Sequence, residues 1–288
     1  MPQTINTNLV SLNAQRNLTT SQSQLATSMQ RLSSGLRVNS AKDDAAGLSI
    51  AERMHTQVRG MNVAMRNAND GISMAQVGEG ALGKVSDLFQ RMRELAVQSA
   101  NGTNTDADRV SLNDEFVQLA QEATRTLGGT QFNGQNILAT TATSTFQIGA
   151  NSSTDIDQLV VTSFDWAAET DIGAVLGTAV ITGTDVPVAQ VTDIASAQTA
   201  IGAIDAAINT VNGQRATFGA EQIRFENVVA TLMVAAENQS AARSRIMDAD
   251  YAAETSSMSR ASILQQAGNA MVAQANQLPQ QVLSLLQR

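Results

Sequence analysis

The sequence predicts a mainly α-helical protein, an elongated antiparallel rod in which the N- and C-terminal segments pair like a coiled coil around a small β-hairpin region in the middle. Three observations predict this fold. The 288 residues include only three prolines, at Pro2, Pro187 and Pro279, so long stretches are free to be helical. Apolar residues recur at alternating spacings of four and three in both halves. Aromatic residues make up only 3% of the chain, which favours thin helix pairs over a thick globular core.

In the N-terminal half, the sequence pattern predicts two helices joined by a turn. The apolar stripe of the first helix, across residues 43–100, is formed by Met54, Val58, Met61, Met65, Ala68, Ile72, Ala75 and Leu82, and then by Val85, Leu88, Met92 and Leu95. Residues 101–105 favour a turn, with Thr105 as a candidate N-cap of a second helix that should end at Gly128-Gly129.

The middle of the chain changes character. Asn133-Gly134 is typical of a hairpin turn, and residues 140–192 are rich in Thr, Ser, Gly and Val, which predicts a small β region with loops. Helix should resume near Asp193, and Pro279 should kink or end the last helix. Because a narrow apolar stripe must be buried against a partner, the two halves should pair antiparallel and bring both termini to one end.

Charge and composition exclude several classes of protein. The net charge of −8 and pI of about 4.7 argue against nucleic-acid binding, and the absence of Cys excludes disulfides and cysteine-based sites. All 26 acidic residues lie between Asp43 and Glu254, so both ends are polar, striped and nearly uncharged. Such ends favour the stacking of many copies. With no signal-peptide core and no apolar span, we expect a cytosolic protein or one exported without a cleaved signal.

Enzymatic and cofactor sites are not expected. The segment Gly78 to Gly83 matches a dinucleotide-binding pattern by letter, but it lies within a helical stripe and not between a strand and a helix. His55 is the single histidine, so neither a metal site nor a Ser-His-Asp triad is expected. Asp43 and Asp44 read better as caps at a helix start than as a carboxylate pair. We therefore predict no catalytic, cofactor-binding or metal-binding residues, and no enzyme.

Several segments resemble the two conserved ends of bacterial flagellins. The resemblance is carried by QRLSSGLRVNSAKDDAAGL at residues 30–48, QRMRELAVQ at 90–98, TQFNG at 130–134, SRIMDADY at 244–251 and the run from Ile263 to Leu286. It covers roughly residues 1–140 and 195–288. It implies a structural subunit that polymerises into the extracellular flagellar filament for swimming motility. The alternative is another structural class, a hook-filament junction or secretion-apparatus tip protein.

The resemblance also implies a domain plan. Residues 1–42 and 251–288 would be inner-core terminal helices, and residues 43–140 and 193–250 an outer-core helical domain. Residues 141–192 would form a variable β/loop region, with large outer domains absent. Secretion would follow the flagellar type III export route. The implied partners are other copies of the chain, an export chaperone, hook-associated junction and cap proteins, and the host Toll-like receptor and plant flagellin receptor; nucleic acid and membrane are not among them.

Three sets of residues are candidate functional sites. The C-terminal stripe predicts polymerisation contacts at Leu264, Met271, Leu278, Val282, Leu285 and Leu286. The resemblance implies a face shared by receptor and neighbouring subunit, formed by Gln90, Arg91, Glu94, Leu95 and Glu115, in which Arg91 and Leu95 lie four residues apart. Ser152, Ser153 and Thr154, in the polar middle, are candidates for O-glycosylation.

Overall fold

The computed structural model describes residues 7–177 and 189–286, with the side chains of residues 278–286 excepted. This part of the chain is mainly helical, as predicted. Its helices are α1 (Leu9–Ser34), α2 (Ala45–Ser99), α3 (Asp106–Gly129), α4 (Thr170–Leu176), α5 (Ile194–Met247) and α6 (Tyr251–Leu286). Its strands are β1 (Gln131–Phe132), β2 (Gln135–Asn136), β3 (Thr143–Gln147) and β4 (Gln158–Thr162). The chain divides into two compact units, residues 57–236 and residues 1–56 with 237–288.

Within residues 57–236, α2 and α5 pack antiparallel along a close seam. Phe225 lies against Gly71, and Phe218 lies against Gly78. Residue numbers therefore rise along α2 while they fall along α5, which makes the pair antiparallel. The glycines admit the aromatic rings because any larger side chain would occupy the same space. The central core adds large side chains from α2 and α3, all fully buried: Leu82, Phe89, Met92, Phe116 and Leu127. The predicted antiparallel pairing of the two halves is confirmed in this unit.

The turn between α2 and α3 is fixed by a buried arginine and a capping box. Thr105 accepts a hydrogen bond from the Asp108 backbone N–H, and the Asp108 carboxylate accepts from the backbone N–H of Thr105, so the predicted N-cap is confirmed. Arg109 is buried and donates to the backbone carbonyls of Ser99, Asn101 and Asn104. These bonds satisfy carbonyl groups around the C-terminus of α2 that have no helical partner.

The described part of the middle region contains two separate hairpins. Strands β1 and β2 pair antiparallel through the two-residue turn Asn133-Gly134, whose φ angles of 50° and 78° fit the left-handed turn that the dipeptide predicts. Strands β3 and β4 pair antiparallel from Thr143↔Thr162 to Gln147↔Gln158. The ring of Phe146 meets Phe225 of α5 edge-on at 5.4 Å between centroids, which fastens the second hairpin to the helical seam.

One part of the middle region differs from the predicted β and loop structure. A 3₁₀ turn at Trp166–Ala168 and helix α4 follow β4. Trp166, Ile172 and Leu176 are fully buried, so this segment belongs to the core of the unit. A helix of seven residues spans only two turns, too short to show a helical period in the sequence.

In the second unit, α1 and α6 form another antiparallel pair. Tyr251 donates from its hydroxyl to the carbonyl of Leu32 at 3.0 Å, while Asn8 donates to the carbonyl of Ala275 at 2.7 Å. The residues buried along α1 are Ser11, Ser21 and Ser28. Helix α6 continues through Pro279 to Leu286, so the expectation that Pro279 ends this helix is wrong.

The start of α2 belongs to the same unit. Asp44 accepts a hydrogen bond from the Gly47 N–H at 2.8 Å, so it caps the helix as predicted. Asp43 accepts from the Ser40 hydroxyl and the Ser40 and Asn39 N–H groups. The Ser40 hydrogen bonds in particular lower the pKa of Asp43. A small core of Val38, Ala51 and Met247 closes this corner.

Candidate functional surfaces

The residues considered for cofactor chemistry lie in ordinary helical surroundings. The Gly78–Gly83 segment lies inside α2, and its Glu79 accepts two hydrogen bonds from Arg215 of α5. His55 lies 4.0 Å from Glu52, one turn away on the same helix. Across residues 7–177 and 189–286, no three His, Cys, Asp or Glu side chains are grouped so as to hold a metal ion. In the same residues, no helix combines the length and the apolar character needed to cross a membrane.

An apolar groove of about 510 Å³ runs between α1 and α6. Two of the predicted polymerisation residues line it: Leu264 is 48% exposed and Met271 is 55% exposed. Its other lining residues are Leu9, Val10, Asn13, Ala14, Asn17, Leu18, Ser21, Ala267 and Gly268. None of these side chains carries a charge. The predicted positions Leu278, Val282, Leu285 and Leu286 lie outside the described side chains.

At one point along the groove, α6 approaches α1 closely at a glycine. Gly268 lies against Leu18, and a Cβ added at Gly268 would stand 3.2 Å from a Leu18 methyl. This close approach leaves larger apolar side chains of the pair outside, and Leu9 and Ile263 are also mostly exposed. The α1 half of the groove was not predicted. The heptad spacing of Leu18, Leu25 and Leu32 was an available signal.

A charged cluster joins α2 to α3. Arg91 donates from Nε and Nη2 to Oε1 of Glu115, at 3.1 and 2.9 Å, and from Nη1 to Oε2 of Glu94 at 2.9 Å. Hydrogen bonding to Glu115, and then to Glu94, raises the pKa of Arg91. The three side chains are exposed, as is neighbouring Gln90. Three of the predicted residues therefore form one exposed network across two helices.

Leu95 differs from the rest of this set. It is only 1% exposed and belongs to the main hydrophobic core. The expectation that Leu95 offers an apolar surface anchor beside Arg91 therefore does not describe the isolated chain. The apolar side chains that reach the surface of these two helices include Val97 on α2 and Val110 on α3.

The candidate glycosylation residues lie in the segment between β3 and β4. Ser152, Ser153 and Thr154 are all exposed. The Ser153 N–H donates to the carboxylate of Asp157 at 3.3 Å, and the Asp157 N–H donates to the carbonyl of Ser153 at 3.0 Å. The segment is thus a local turn with its hydroxyl-bearing residues facing solvent.

Comparison with known protein families gives two matches that cover most of the chain. Residues 5–143 match the bacterial flagellin N-terminal helical region, and residues 201–286 match the bacterial flagellin C-terminal helical region. The surfaces described above fall within these regions, with the exception of the β3–β4 segment. That segment lies between the two matches.

Relatives of known identity match over nearly the full length. A flagellin of Halalkalibacterium halodurans is 46% identical over 98% of this chain and 99% of its own length. The flagellar filament 33 kDa core protein of Treponema phagedenis is 43% identical over 98% of this chain and 99% of its own. A flagellin of Serratia marcescens is 41% identical over 99% of this chain and 100% of its own.

Proposed function

We propose, from the premise that this chain belongs to the bacterial flagellin family, that the groove between α1 and α6 is a contact between subunits of its filament. As a flagellin the chain is a structural protein whose copies polymerise into the flagellar filament, and it is not an enzyme. The relatives do not favour the alternative of a junction or tip protein.

The observation that carries the proposal is the exposure of large apolar side chains along this groove. Leu9, Leu264 and Met271 each leave about half or more of their surface in water. Burying apolar surface is worth about 25 cal/mol per Å². A second copy suits the groove because the lining carries no charge, so identical surfaces can meet without repulsion. Repetition along a polymer would multiply a modest gain per subunit.

Charge-introducing variants test this contact. Leu264→Asp or Met271→Asp should abolish seeded polymerisation, scored by sedimentation and negative-stain microscopy, because assembly would bury an unpaired carboxylate. Ile156→Asp is the matched control, since Ile156 is 79% exposed in the β3–β4 segment and is not among the residues that line the groove. Monomer circular dichroism should match the unmodified protein in all three. Normal filaments from both groove variants would rule out this surface.

The proposal extends to the end of the chain. Removal of residues 270–288 should abolish filaments while residues 57–236 stay folded, because that unit contains its own core. We propose the predicted domain plan on the same basis, with residues 1–42 and 251–288 as the inner layer. Limited proteolysis of monomer should then trim both ends first. Filaments of normal length from the truncated chain would contradict this assignment.

Secretion to the cell exterior through the flagellar type III apparatus is part of the same proposal, with an export chaperone and with hook-associated junction and cap proteins as partners. The support is the family membership together with the apolar C-terminal helix, which must avoid premature association before export. Pull-down of the chain with the flagellar chaperone of its own host, before and after removal of residues 270–288, tests the chaperone contact. Equal capture of both forms would locate that contact elsewhere.

We further propose that the host Toll-like receptor and plant flagellin receptor bind the exposed network of Arg91, Glu94 and Glu115, with Gln90. The same network would also be a lateral contact between subunits in the filament. A planar guanidinium that already holds two carboxylates gives a partner a rigid pattern of donors and acceptors. Leu95 supports the helix beneath this network and does not itself reach a partner.

The test of this face is paired. Arg91→Ala should weaken receptor signalling by monomer and also reduce filament stability or motility. Arg125→Ala is the matched control, because Arg125 makes a similar exposed pair with Glu122 on α3. Leu95→Ala is unsuitable because it would open a cavity in the core. A variant Arg91→Ala that loses signalling but forms stable, motile filaments would separate the two roles.

O-glycosylation of Ser152, Ser153 or Thr154 is the remaining proposal. It is supported by the exposure of all three hydroxyl side chains in a polar turn. Intact mass of the protein purified from its native host, with peptide mapping of this segment, provides the test. A mass equal to that of the sequence would remove the proposal.

A further inference from the structure

The sequence contains three Asn-Gly pairs, and the fold holds each in a different backbone setting. Asn133-Gly134 forms the two-residue turn between β1 and β2, and Asn101-Gly102 lies in the turn between α2 and α3. Asn212-Gly213 lies inside α5. Asn101, Asn133 and Asn212 are all exposed, so differences between the pairs come from the backbone and not from access to water.

Asn-Gly is the dipeptide best suited to spontaneous deamidation. The Gly nitrogen loses its proton and attacks Cγ of the Asn side chain. An N–Cγ bond forms, the bond from Cγ to the amide nitrogen breaks, and ammonia leaves a five-membered succinimide. Water then opens either carbonyl of the ring and yields Asp or isoaspartate. Gly favours the attack because it has no Cβ to obstruct the approach.

The attack requires the backbone to leave its folded conformation, so the energy of local opening sets the rate. In α5 the Gly213 N–H is part of the helical ladder, and opening it breaks a long helix. The side-chain oxygen of Asn101 accepts a hydrogen bond from the Thr103 N–H at 3.3 Å, and its backbone carbonyl accepts one from Arg109 at 3.0 Å. The β1–β2 hairpin has only two residues in each strand.

We propose that Asn133 is the deamidation site of this protein and converts to isoaspartate and Asp while the rest of the chain stays folded. A hairpin with only two paired residues on each side is marginal by itself, so its tip opens at low cost. Asn133 already occupies a left-handed conformation, at φ 50°, which side chains other than Asn, Asp and Gly tolerate poorly.

The modification changes the hairpin in two ways. In isoaspartate the main chain passes through the side-chain carbons, which adds one atom to the backbone. A two-residue turn cannot accommodate the extra atom without changing its conformation. The pairing of Gln131 with Asn136 and of Phe132 with Gln135 then loses its register. The product also carries a new negative charge on an uncharged turn. Phe132 packs against the main core, so the change reaches beyond the surface.

The experiment compares the three sites within one molecule. Folded protein is incubated at mildly alkaline pH and 37 °C, and peptide mapping by mass spectrometry follows the replacement of NH₂ by OH at each Asn. Asn133 should react at least about tenfold faster than Asn212, with Asn101 between them, because local opening free energies differ across a fold. Labelling with an isoaspartate-specific methyltransferase should locate the product in the peptide containing residue 133.

Two controls make the result decisive. In guanidinium chloride the three sites should react at similar rates, because the differences come from the fold. The variant Asn133→Gly keeps a two-residue turn but cannot deamidate, and it should remove the fast phase while leaving Asn101 unchanged. Equal rates at Asn133 and Asn212 in the folded protein, or a fast phase that survives in Asn133→Gly, would overturn the proposal.

Discussion

The α2–α5 seam and the α1–α6 pair are both antiparallel helix pairs, yet they bury different kinds of side chain. The seam encloses Phe218 and Phe225 almost completely against glycines of α2. The α1–α6 pair buries serines and leaves Leu264 and Met271 about half exposed. At these positions the seam is closed within one chain, whereas the groove residues of the second pair stay exposed; α5 also exposes Ile223 and Met233, away from the two phenylalanines. A shared helical period therefore does not reveal how far a helix pair buries its large apolar side chains.

The largest effect is expected where the seam is complete. Phe218→Ala should lower the free energy of unfolding by about 3–5 kcal/mol, because the fully buried ring leaves a cavity between α2 and α5. Ile263→Ala in the α1–α6 pair should change it by less than about 0.5 kcal/mol, since Ile263 is largely exposed. Guanidinium denaturation followed by circular dichroism measures both. Similar losses for the two variants would mean that the pairs are equally closed.

Glycine substitutions sharpen the comparison at intermediate size. A Cβ at Gly71 would lie 2.5 Å from the buried Phe225 ring, so Gly71→Ala should cost about 1–3 kcal/mol through overpacking. Gly80→Ala, with nothing within 4 Å of the new carbon, should stabilise the chain by about 1 kcal/mol through helix propensity. Gly268→Ala should fall between them, because its neighbour is a flexible Leu18 methyl. Thermal melts would contradict this reading if all three shifted in the same direction.

The smallest effect concerns the capping box of α3 and its pH dependence. Thr105→Ala should cost about 1 kcal/mol, because the Asp108 N–H loses its acceptor. The hydrogen bond from the Thr105 side chain, with that from its backbone, holds the pKa of Asp108 below its ordinary value of 3.8. Stability from this group is therefore present above the ordinary pKa and is lost as pH falls through the lowered one.

Acid titration of the unfolding midpoint measures this contribution. The variant Thr105→Ala should show a weaker loss of stability between pH 5 and strongly acidic solution, because the Asp108 pKa returns toward its ordinary value. Thr103→Ala is the control, since only the Thr103 backbone takes part in the turn. An unchanged acid slope in Thr105→Ala would show that Asp108 does not contribute.

The long helices α2, α3 and α5, the N-cap and the first hairpin followed from the sequence because each has a local physical signature. A Pro-free apolar period over more than forty residues admits only a long helix, and Asn-Gly between short polar strands admits a left-handed turn. The Trp166 turn and α4 did not follow, because their burial depends on distant core partners. Residues 178–188, in the same part of the chain, lie outside the residues that the structure describes.

The position of Leu95 shows how a local rule fails. Residues four apart share a helix face only approximately, since four residues advance about 40° beyond a full turn at 3.6 residues per turn. That rotation carries Leu95 from the edge near Arg91 into the core, as its 1% exposure shows. The resemblance grouped Arg91, Glu94 and Glu115 on one face, but the ion pairs between them and the burial of Leu95 depend on the packing of the neighbouring helices.

The buried arginine at the α2–α3 turn implies an order of folding. Arg109 donates a hydrogen bond to the carbonyl of Ser99, ten residues away. This bond closes a short loop, so its entropic cost is small. The same corner is tied to the start of α5 by Ser99 and Asn113, which hydrogen-bond to Val191 across 92 and 78 residues. Short-range contacts form faster than long-range ones. During synthesis, which starts at the N-terminus, the α2–α3 hairpin would thus fold first. Helix α5 would then pack onto this hairpin, beginning next to Val191.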